Sequence, residues 1–272
     1  MTEPRPEQTS VLDLLTGGEL EVTGRLVRAS NGTFFGEVRS GEDVVECVYK
    51  PVRGERPLWD FPDGTLAARE RAAYLVSEAA GWHVVPPTVL RDGPLGYGMV
   101  QRWIDVDPQR PQVDVLPAGE SRPGWFAVLD AFDEADRPVR LLHRASATLR
   151  SMALFDAVVN NADRKGSHIL PERGVPDDAP VVGCDHGLTF HTELKLRTVL
   201  WGWSGEPLDG EERARLDVLR DAVDAGPLRD ELDTLVTPAE VRALVERIDE
   251  LVATGLMPEP GDRWPTIPWP PL

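Results

Sequence analysis

The chain has few of the residues that build a disulfide scaffold, and no long hydrophobic run. Only two of its 272 residues are cysteine, Cys47 and Cys184. Both occur in strand-like segments, which predicts two reduced core thiols in a cytoplasmic protein. No apolar run approaches transmembrane length, and residues 1–6 lack the apolar core of a signal peptide. The five histidines show no zinc-ligand spacing.

Basic residues are also few: the chain has 29 Lys and Arg and 46 Asp and Glu, which gives a net charge of −17. A nucleic-acid backbone requires a basic surface. Anionic membranes likewise recruit polybasic segments. The composition therefore argues against nucleic acid as a substrate and against stable membrane association. It leaves the oligomeric state open.

Residues 160–168 and 183–187 carry the chemistry that the sequence suggests. Asp163 is followed two positions later by Lys165, and His168 stands at the fifth position; a second turn follows at Asp185-His186-Gly187. Kinase catalytic loops place an Asp, a Lys and a metal-binding Asn at this spacing, followed by an Asp-x-Gly turn. The alternative interpretation is a loop with a turn Asp and a solvated Arg-Lys pair.

The upstream segment has the pattern of a nucleotide-covering hairpin. Residues 24–28 and 34–39 read as strands joined by a turn over 29–33, and a third strand over 44–50 ends at Lys50. A glycine-bearing hairpin followed by a strand that ends in Lys is how kinases cover ATP and contact its phosphates.

Residues 65–80 are predicted to form a helix with Thr65 as N-cap and Gly81 just beyond its end. Glu70 lies within a partly apolar face of that helix. An unpaired buried carboxylate is costly, so Lys50 is its expected partner. The alternative is an exposed Glu70 that pairs locally with Arg69 or Arg71.

These motifs resemble the phosphatidylinositol 3-/4-kinase-like superfamily, in particular the type II phosphatidylinositol 4-kinases, the HipA-type bacterial Ser/Thr kinases and their uncharacterised actinobacterial relatives. The type II lipid kinases carry Asn-x-Asp-Arg and then Ile-Asp-x-Gly-Leu-x-Phe. This chain has Asn-Ala-Asp-Arg at 161–164 and Cys-Asp-His-Gly-Leu-Thr-Phe at 184–190. The HipA-type enzymes are similar in Lys50-Pro51 and in the spacing from Glu70 to Gly81. The resemblance covers residues 20 to about 203.

The resemblance implies an α+β, two-lobed protein-kinase-like fold that uses ATP with Mg²⁺ or Mn²⁺. It implies that Asp163 orients the acceptor hydroxyl and that Lys165 stabilises the transferring phosphoryl group. Asp185 would bind the metal, together with His168, which replaces the family's Asn. The implied nucleotide contacts are Asn31, Gly32 and Thr33 near the phosphates, Lys50 held by Glu70, and Gln101 in a hinge over 99–102 beside adenine.

The acceptor is less well defined by these motifs. The type II lipid kinases anchor through a Cys-rich palmitoylated segment, and this chain has nothing similar. We therefore expect a soluble acceptor, either a small polyol or inositol-like molecule or a protein Ser/Thr. Two alternatives remain open: a nucleotide-binding pseudokinase scaffold, suggested by His168, and a kinase-like enzyme that transfers AMP.

The predicted organisation is a loose segment over 1–16, an N-lobe over 17–104 and a C-lobe over 105–272. Residues 11–15 have a second interpretation, a short docking helix. In the C-lobe we expect a Pro-rich surface loop over 105–124, a hairpin of strands 125–132 and 139–143, and three groups of helices: 146–159, 211–235, and one that begins at the capping box of Thr237. The Pro- and Trp-rich residues 264–271 are expected to be extended, docked on the protein itself or bound to a partner.

Overall fold

The first five strands form one antiparallel sheet in the computed structural model, which describes residues 10–26, 32–56, 58–61, 65–177 and 179–272. The order across the sheet is β1-β2-β3-β5-β4. The expected pairing of the first two strands is therefore present, although their connecting turn lies outside the described residues. The bounds are β1 Glu19–Arg25, β2 Phe34–Ser40, β3 Asp43–Pro51, β4 Thr88–Gly93 and β5 Gly96–Arg102.

Helix α1, Val11–Gly17, packs on one face of this sheet. Its Leu14 and Leu15 are buried in a cluster with Tyr49 and Val100. The expectation of a loose segment over 1–16 is therefore wrong for residues 11–16, and the docking helix is the correct interpretation. Two adjacent leucines in a short helix can bury only against a neighbouring element, and the sheet provides that surface.

Helix α2, Leu66–Ala79, confirms the prediction for residues 65–80. The side chain of Thr65 accepts a hydrogen bond from the Ala68 N–H at 3.0 Å. The carboxylate of Glu55 accepts from the N–H groups of the first two helical residues at 3.0 and 2.8 Å. Gly81 follows the helix with φ of 67°, a conformation that glycine adopts without strain.

A second, three-stranded antiparallel sheet follows, formed by β6 Val113–Pro117, β7 Trp125–Phe132 and β8 Pro138–Arg144 in the order β6-β8-β7. Strands β7 and β8 confirm the predicted hairpin. The loop prediction over 105–124 is wrong for 113–117, because those residues pair with β8. The prolines that suggested a loop are compatible with β6, since an edge strand tolerates them.

The remaining structure is mainly helical. The prediction of three helical groups is confirmed, and a capping box begins both α4 and α6. Of the helices that the structure describes, none has the length and apolar character needed to cross a membrane. The bounds are α3 Ala147–Val159, β9 Ile169–Leu170, β10 Val182–Gly183, α4 Gly210–Asp224, α5 Pro227–Leu235 and α6 Pro238–Thr254.

His143 on β8 is fully buried between the rings of Phe126 and Trp203. Its Nε2 atom accepts a hydrogen bond from the Gly202 N–H at 3.0 Å. The proton of the neutral ring therefore lies on Nδ1, 2.9 Å from the carbonyl oxygen of Arg144. Burial lowers the pKa of His143 below its ordinary value of 6.5, because a charged ring would lose its hydration.

This burial predicts a pH-dependent stability. The unfolded chain binds the His143 proton more readily than the folded chain, so the free energy of unfolding should fall as pH drops below about 6.5. His143→Gln should lose part of that slope in urea melts between pH 8 and pH 5. His83→Gln, which alters an exposed side chain, is the control and should keep the slope. A His143→Gln slope identical to that of the unmodified chain would contradict the assignment.

Candidate active site

A fully buried ion pair between Arg164 and Asp156 anchors the loop that follows α3. The Nε and Nη2 atoms of Arg164 donate to the two carboxylate oxygens of Asp156 at 2.9 and 2.8 Å, and both side chains have 0% exposure. The side-chain amide of Asn161 donates to the same carboxylate at 2.9 Å. The alternative interpretation of a solvated Arg-Lys pair is therefore wrong for Arg164.

The same guanidinium joins this loop to the turn at 184–187. Its Nη1 atom donates to the carbonyl oxygens of His168 and Cys184, both at 3.2 Å. Its Nη2 atom lies 2.7 Å from Nε2 of His186, which must accept because arginine has no lone pair to offer. The two motifs that are twenty residues apart in sequence are thus held by one side chain.

Asp163 and Lys165 extend from this anchored loop. The backbone N–H of Asp163 donates to the side-chain oxygen of Asn161 at 3.0 Å. The Asp163 Oδ2 and Lys165 Nζ atoms are 3.1 Å apart, and both side chains remain between one fifth and one quarter exposed. The backbone is therefore fixed while the two functional groups remain accessible to a substrate.

Lys50, at the end of β3, lies between two carboxylates. Its Nζ atom is 2.8 Å from Oε1 of Glu70 and also contacts Oδ1 of Asp185. Burial opposes the charge of Lys50, but the two carboxylates outweigh it and raise its pKa. The second oxygen of Glu70 accepts the backbone N–H of His186 at 2.9 Å. The expected ion pair between Lys50 and Glu70 is present.

The alternative pairing of Glu70 with a neighbouring arginine is wrong, because both neighbours have other partners. Arg69 forms an ion pair with Glu240 on α6 at 2.6 Å and donates to the carbonyl of Thr189 at 2.7 Å. Arg71 donates to the carbonyl of Thr88 at 2.6 Å. The contacts of Arg69 fix α2 against α6 and the segment after the Asp185 turn, which holds Glu70 in position.

Asp185 and His168 lie side by side and have the donor chemistry of a divalent-cation site. Asp185 has φ of 57° and remains 49% exposed; the charge of Lys50 lowers its pKa. The Nε2 atom of His168 is 3.5 Å from Asp185 Oδ2. Burial lowers the pKa of His168 and keeps the ring neutral, as metal binding requires. Within the described residues no group of three or more His, Cys, Asp or Glu side chains could hold a metal, so nucleotide oxygens would have to complete the coordination.

The predicted nucleotide contacts are only partly brought to the cleft. Asn31 lies outside the described residues. The side chain of Thr33 is buried, and the Gly32 N–H donates to the Gly54 carbonyl at 3.2 Å. Gln101 is a buried residue of β5 that donates to Thr88 Oγ1 at 2.8 Å. Gln101 is paired with Val48 on β3, so its side chain lies on the same face of the sheet as Lys50, at a buried position.

Sequence reasoning missed three apolar residues on the cleft face of the sheet. Phe35 pairs with Val48, and Val48 lies two residues before Lys50 on the same strand. The side chains of Phe35, Val48 and Lys50 therefore share one face of the sheet. Trp103, just after β5, packs edge to face on Phe35 with ring centroids 5.1 Å apart. All are partly exposed. The available signal was the pair Phe34-Phe35, since alternation on a strand must send one ring to each face.

Residues 264–272 dock on the protein itself and reach the loop that carries Asp163 and Lys165. The Thr266 carbonyl accepts from the Thr198 N–H at 3.0 Å and from Trp201 Nε1 at 2.9 Å. The Pro271 carbonyl accepts from the Gly166 N–H at 2.8 Å. Gly166 directly follows Lys165, so the segment borders the proposed acceptor side of the site.

A comparison with curated proteins identifies the family of the chain. Protein Rv2133c of Mycobacterium tuberculosis (strain ATCC 25618 / H37Rv) is 49% identical over 266 residues, which covers 94% of each chain. The chain belongs to the family of that protein. No protein-family model matches the sequence.

Solved structures establish the fold. The Golgi casein kinase superposes with a TM-score of 0.51 at 11% identity, covering 89% of this chain and 72% of that chain. The Helicobacter pylori proinflammatory kinase CtkA gives a TM-score of 0.39 at 10% identity, covering 89% and 94%. The likeness to the first confirms the predicted α+β, kinase-like fold with an antiparallel sheet and a helical C-terminal part.

Gly183 provides a test of the Arg164 anchor. A Cβ atom at this position would lie 2.6 Å from Nη1 of Arg164. Gly183→Ala should therefore cost about 1–3 kcal/mol of stability, the usual range for overpacking. Gly210→Ala is the matched control, because a Cβ there meets nothing within 4 Å. Melting temperatures measured side by side should fall for Gly183→Ala alone; equal values would show that the guanidinium is free to move.

Proposed function

We propose that this protein is an ATP-dependent phosphotransferase that moves the γ-phosphoryl group to a hydroxyl of a soluble acceptor. The observation that carries the proposal is the position of Lys50, bound to both Glu70 and Asp185 in a kinase-like fold. The strand Lys, helix Glu and Asp-x-Gly carboxylate of kinases perform phosphate binding and metal binding. The motifs at 161–164 and 184–190 favour the branch that resembles type II phosphatidylinositol 4-kinases and HipA-type kinases.

In this proposal each side chain has a defined task. The adenine base packs between Phe35, Val48 and Trp103, and Lys50 contacts the phosphates. Bound ATP with its divalent ion supplies the transferable phosphoryl group, and Asp185 and His168 are the residues that would hold that ion. Phosphoryl transfer depends mainly on positioning and on charge stabilisation, and the buried Arg164 anchor supports the positioning.

Asp163 and Lys165 act on the acceptor side. Asp163 accepts a hydrogen bond from the acceptor hydroxyl and thereby directs the hydroxyl oxygen toward the phosphoryl group. Lys165, 3.1 Å from Asp163, offers a cation to the charge that develops during transfer. The hydrogen bond from the backbone N–H of Asp163 to the side-chain oxygen of Asn161 restricts the loop. This restriction reduces the entropy lost on reaching the reactive geometry.

The docked segment 264–272 favours a small polyol or inositol-like acceptor over a protein Ser/Thr. An extended peptide would need backbone partners beside the catalytic loop, and the N–H groups of Gly166 and Thr198 are already occupied by Pro271 and Thr266. A small molecule needs only the partly exposed Asp163 and Lys165.

The second candidate function is a nucleotide-binding scaffold without turnover. It rests on His168, which stands where the resembling kinases carry Asn. A mass measurement on the acceptor separates this candidate from phosphate transfer and from AMP transfer, since the three outcomes are no added mass, one phosphate and one AMP.

Nucleotide binding should depend on Lys50 and Asp185. ATP with Mg²⁺ or Mn²⁺ at 100 times its Kd should stabilise the fold by roughly 2.7 kcal/mol, because only the folded state binds it. Lys50→Met and Asp185→Asn should abolish most of the ATP-induced rise in melting temperature. Arg39→Met, at a largely exposed position near the end of β2, is the control and should keep it. Equal rises in all four proteins would disprove the nucleotide site.

Asp163→Asn should separate binding from chemistry. The substitution keeps the side-chain volume but removes the proton-accepting charge, so turnover should fall on the order of 10²-fold or more. The ATP-induced melting shift should stay within experimental error of the unmodified chain. ATP consumption is measured with a panel of polyols and with Ser/Thr peptides. If Asp163→Asn keeps its turnover and loses ATP affinity, Asp163 is a metal ligand instead.

A further inference from the structure

A large cavity lies in the helical part of the protein, away from the Lys50 cleft. It has a volume of about 830 Å³ and runs between the second half of α6, residues 193–196 and residues 256–266. We propose that this cavity is a binding site for a monocarboxylate with an apolar body, such as a medium-chain fatty acid. The proposal is independent of the phosphotransferase activity.

The walls of the cavity are suited to an apolar body. Leu196, Leu251, Met257 and Trp264 line it, together with Leu194, which is 63% exposed. Small-molecule sites typically measure 300–1,000 Å³ and combine mostly apolar walls with a few polar groups. Volume and lining therefore both fall within the range of a ligand site.

Arg247 supplies the polar group. This cavity-lining residue of α6 is only 6% exposed. Its Nε and Nη1 atoms donate to the carbonyls of Val158 and His191 at 2.9 and 3.2 Å, whereas its buried Nη2 atom has no hydrogen-bond partner. A buried guanidinium without a counter-ion is costly, so an anion beside the part of Arg247 that lines the cavity would stabilise it.

Arg247 has no directly paired carboxylate within the part of the chain that the structure describes. Among the described residues no ion pair joins its guanidinium to a carboxylate. The two carboxylates that act on it from a distance are Glu240, which is paired with Arg69, and Glu246, which is exposed. Burial consequently lowers the pKa of Arg247 to about 10. A ligand carboxylate would supply the missing charge.

The charges at the rim restrict the ligand to a single negative charge. Glu193, Glu250, Glu259 and Asp262 are exposed residues of the lining, and Arg263 is the one basic residue beside them. Four exposed carboxylates in the lining repel a phosphate or a nucleotide, which carries several negative charges, more strongly than a monoanion. An apolar ligand with one carboxylate can pass this rim and place its charge against Arg247.

Asn160 connects the cavity to the catalytic loop. It lines the cavity, caps α3 in the left-handed conformation, and its side chain donates to the carbonyls of His191 and Glu193 at 2.9 and 2.7 Å. Its Oδ1 atom accepts from the Lys195 N–H at 2.9 Å. Binding in the cavity would therefore act on the residue that begins the loop carrying Asp163.

The test titrates the full-length chain with octanoate and with 1-octanol by isothermal calorimetry. Arg247→Met keeps most of the side-chain volume and removes the charge, so it should weaken octanoate binding at least tenfold and leave octanol binding unchanged. Arg242→Met, on the exposed face of the same helix, should bind octanoate like the unmodified chain. Glu250→Gln should tighten octanoate binding, because it removes one repulsive rim charge.

Leu194→Asp provides a second test of the cavity that does not depend on whether Arg247→Met folds. It places a second charge on an exposed part of the wall, and it should weaken both probes while melting like the unmodified chain. The proposal is overturned if octanoate does not bind, if Arg247→Met binds it as well as the unmodified chain does, or if ATP displaces it. The ATP-induced melting shift, measured on the same variants, reports the nucleotide cleft separately.

Discussion

The buried pair of Arg164 and Asp156 is the interaction on which the rest of the site depends. Every donor direction of the guanidinium is used, by the carboxylate of Asp156, by two carbonyls and by the ring of His186. Removing one partner of a buried ion pair typically costs about 3–5 kcal/mol, since it leaves a charge without compensation. The loop that carries Asp163 and the turn that carries Asp185 thus share one rigid support.

This support reaches the sheet through the backbone of His186. Its N–H binds Glu70, and the other oxygen of Glu70 binds Lys50. The position of Lys50 therefore depends on the Asp185 turn as well as on β3. Arg69 adds a second connection between α2 and α6 through Glu240. Helix α2 is held from two sides, so the Lys50 and Glu70 pair does not rely on the local helix alone.

Patterns that are short in sequence predicted their elements well. The caps of α2 and α6 are local signals, because neighbouring backbone groups must find hydrogen-bond partners. Prediction failed for residues 113–117, where a distant partner decided the outcome. These residues form a strand because β8 pairs with them.

The sequence by itself determined helix α2, the helices of the C-terminal part, the hairpin of β7 and β8, and the pairing of Lys50 with Glu70. These follow from periodicity, from capping and from the cost of an unpaired buried carboxylate. Only the tertiary structure decided that Arg164 is a buried anchor, that residues 264–272 border the loop that carries Asp163, and that Arg247 lines a cavity with no described carboxylate paired to it. Each of these depends on which distant segment covers a charge, and a local sequence pattern carries no information about that neighbour.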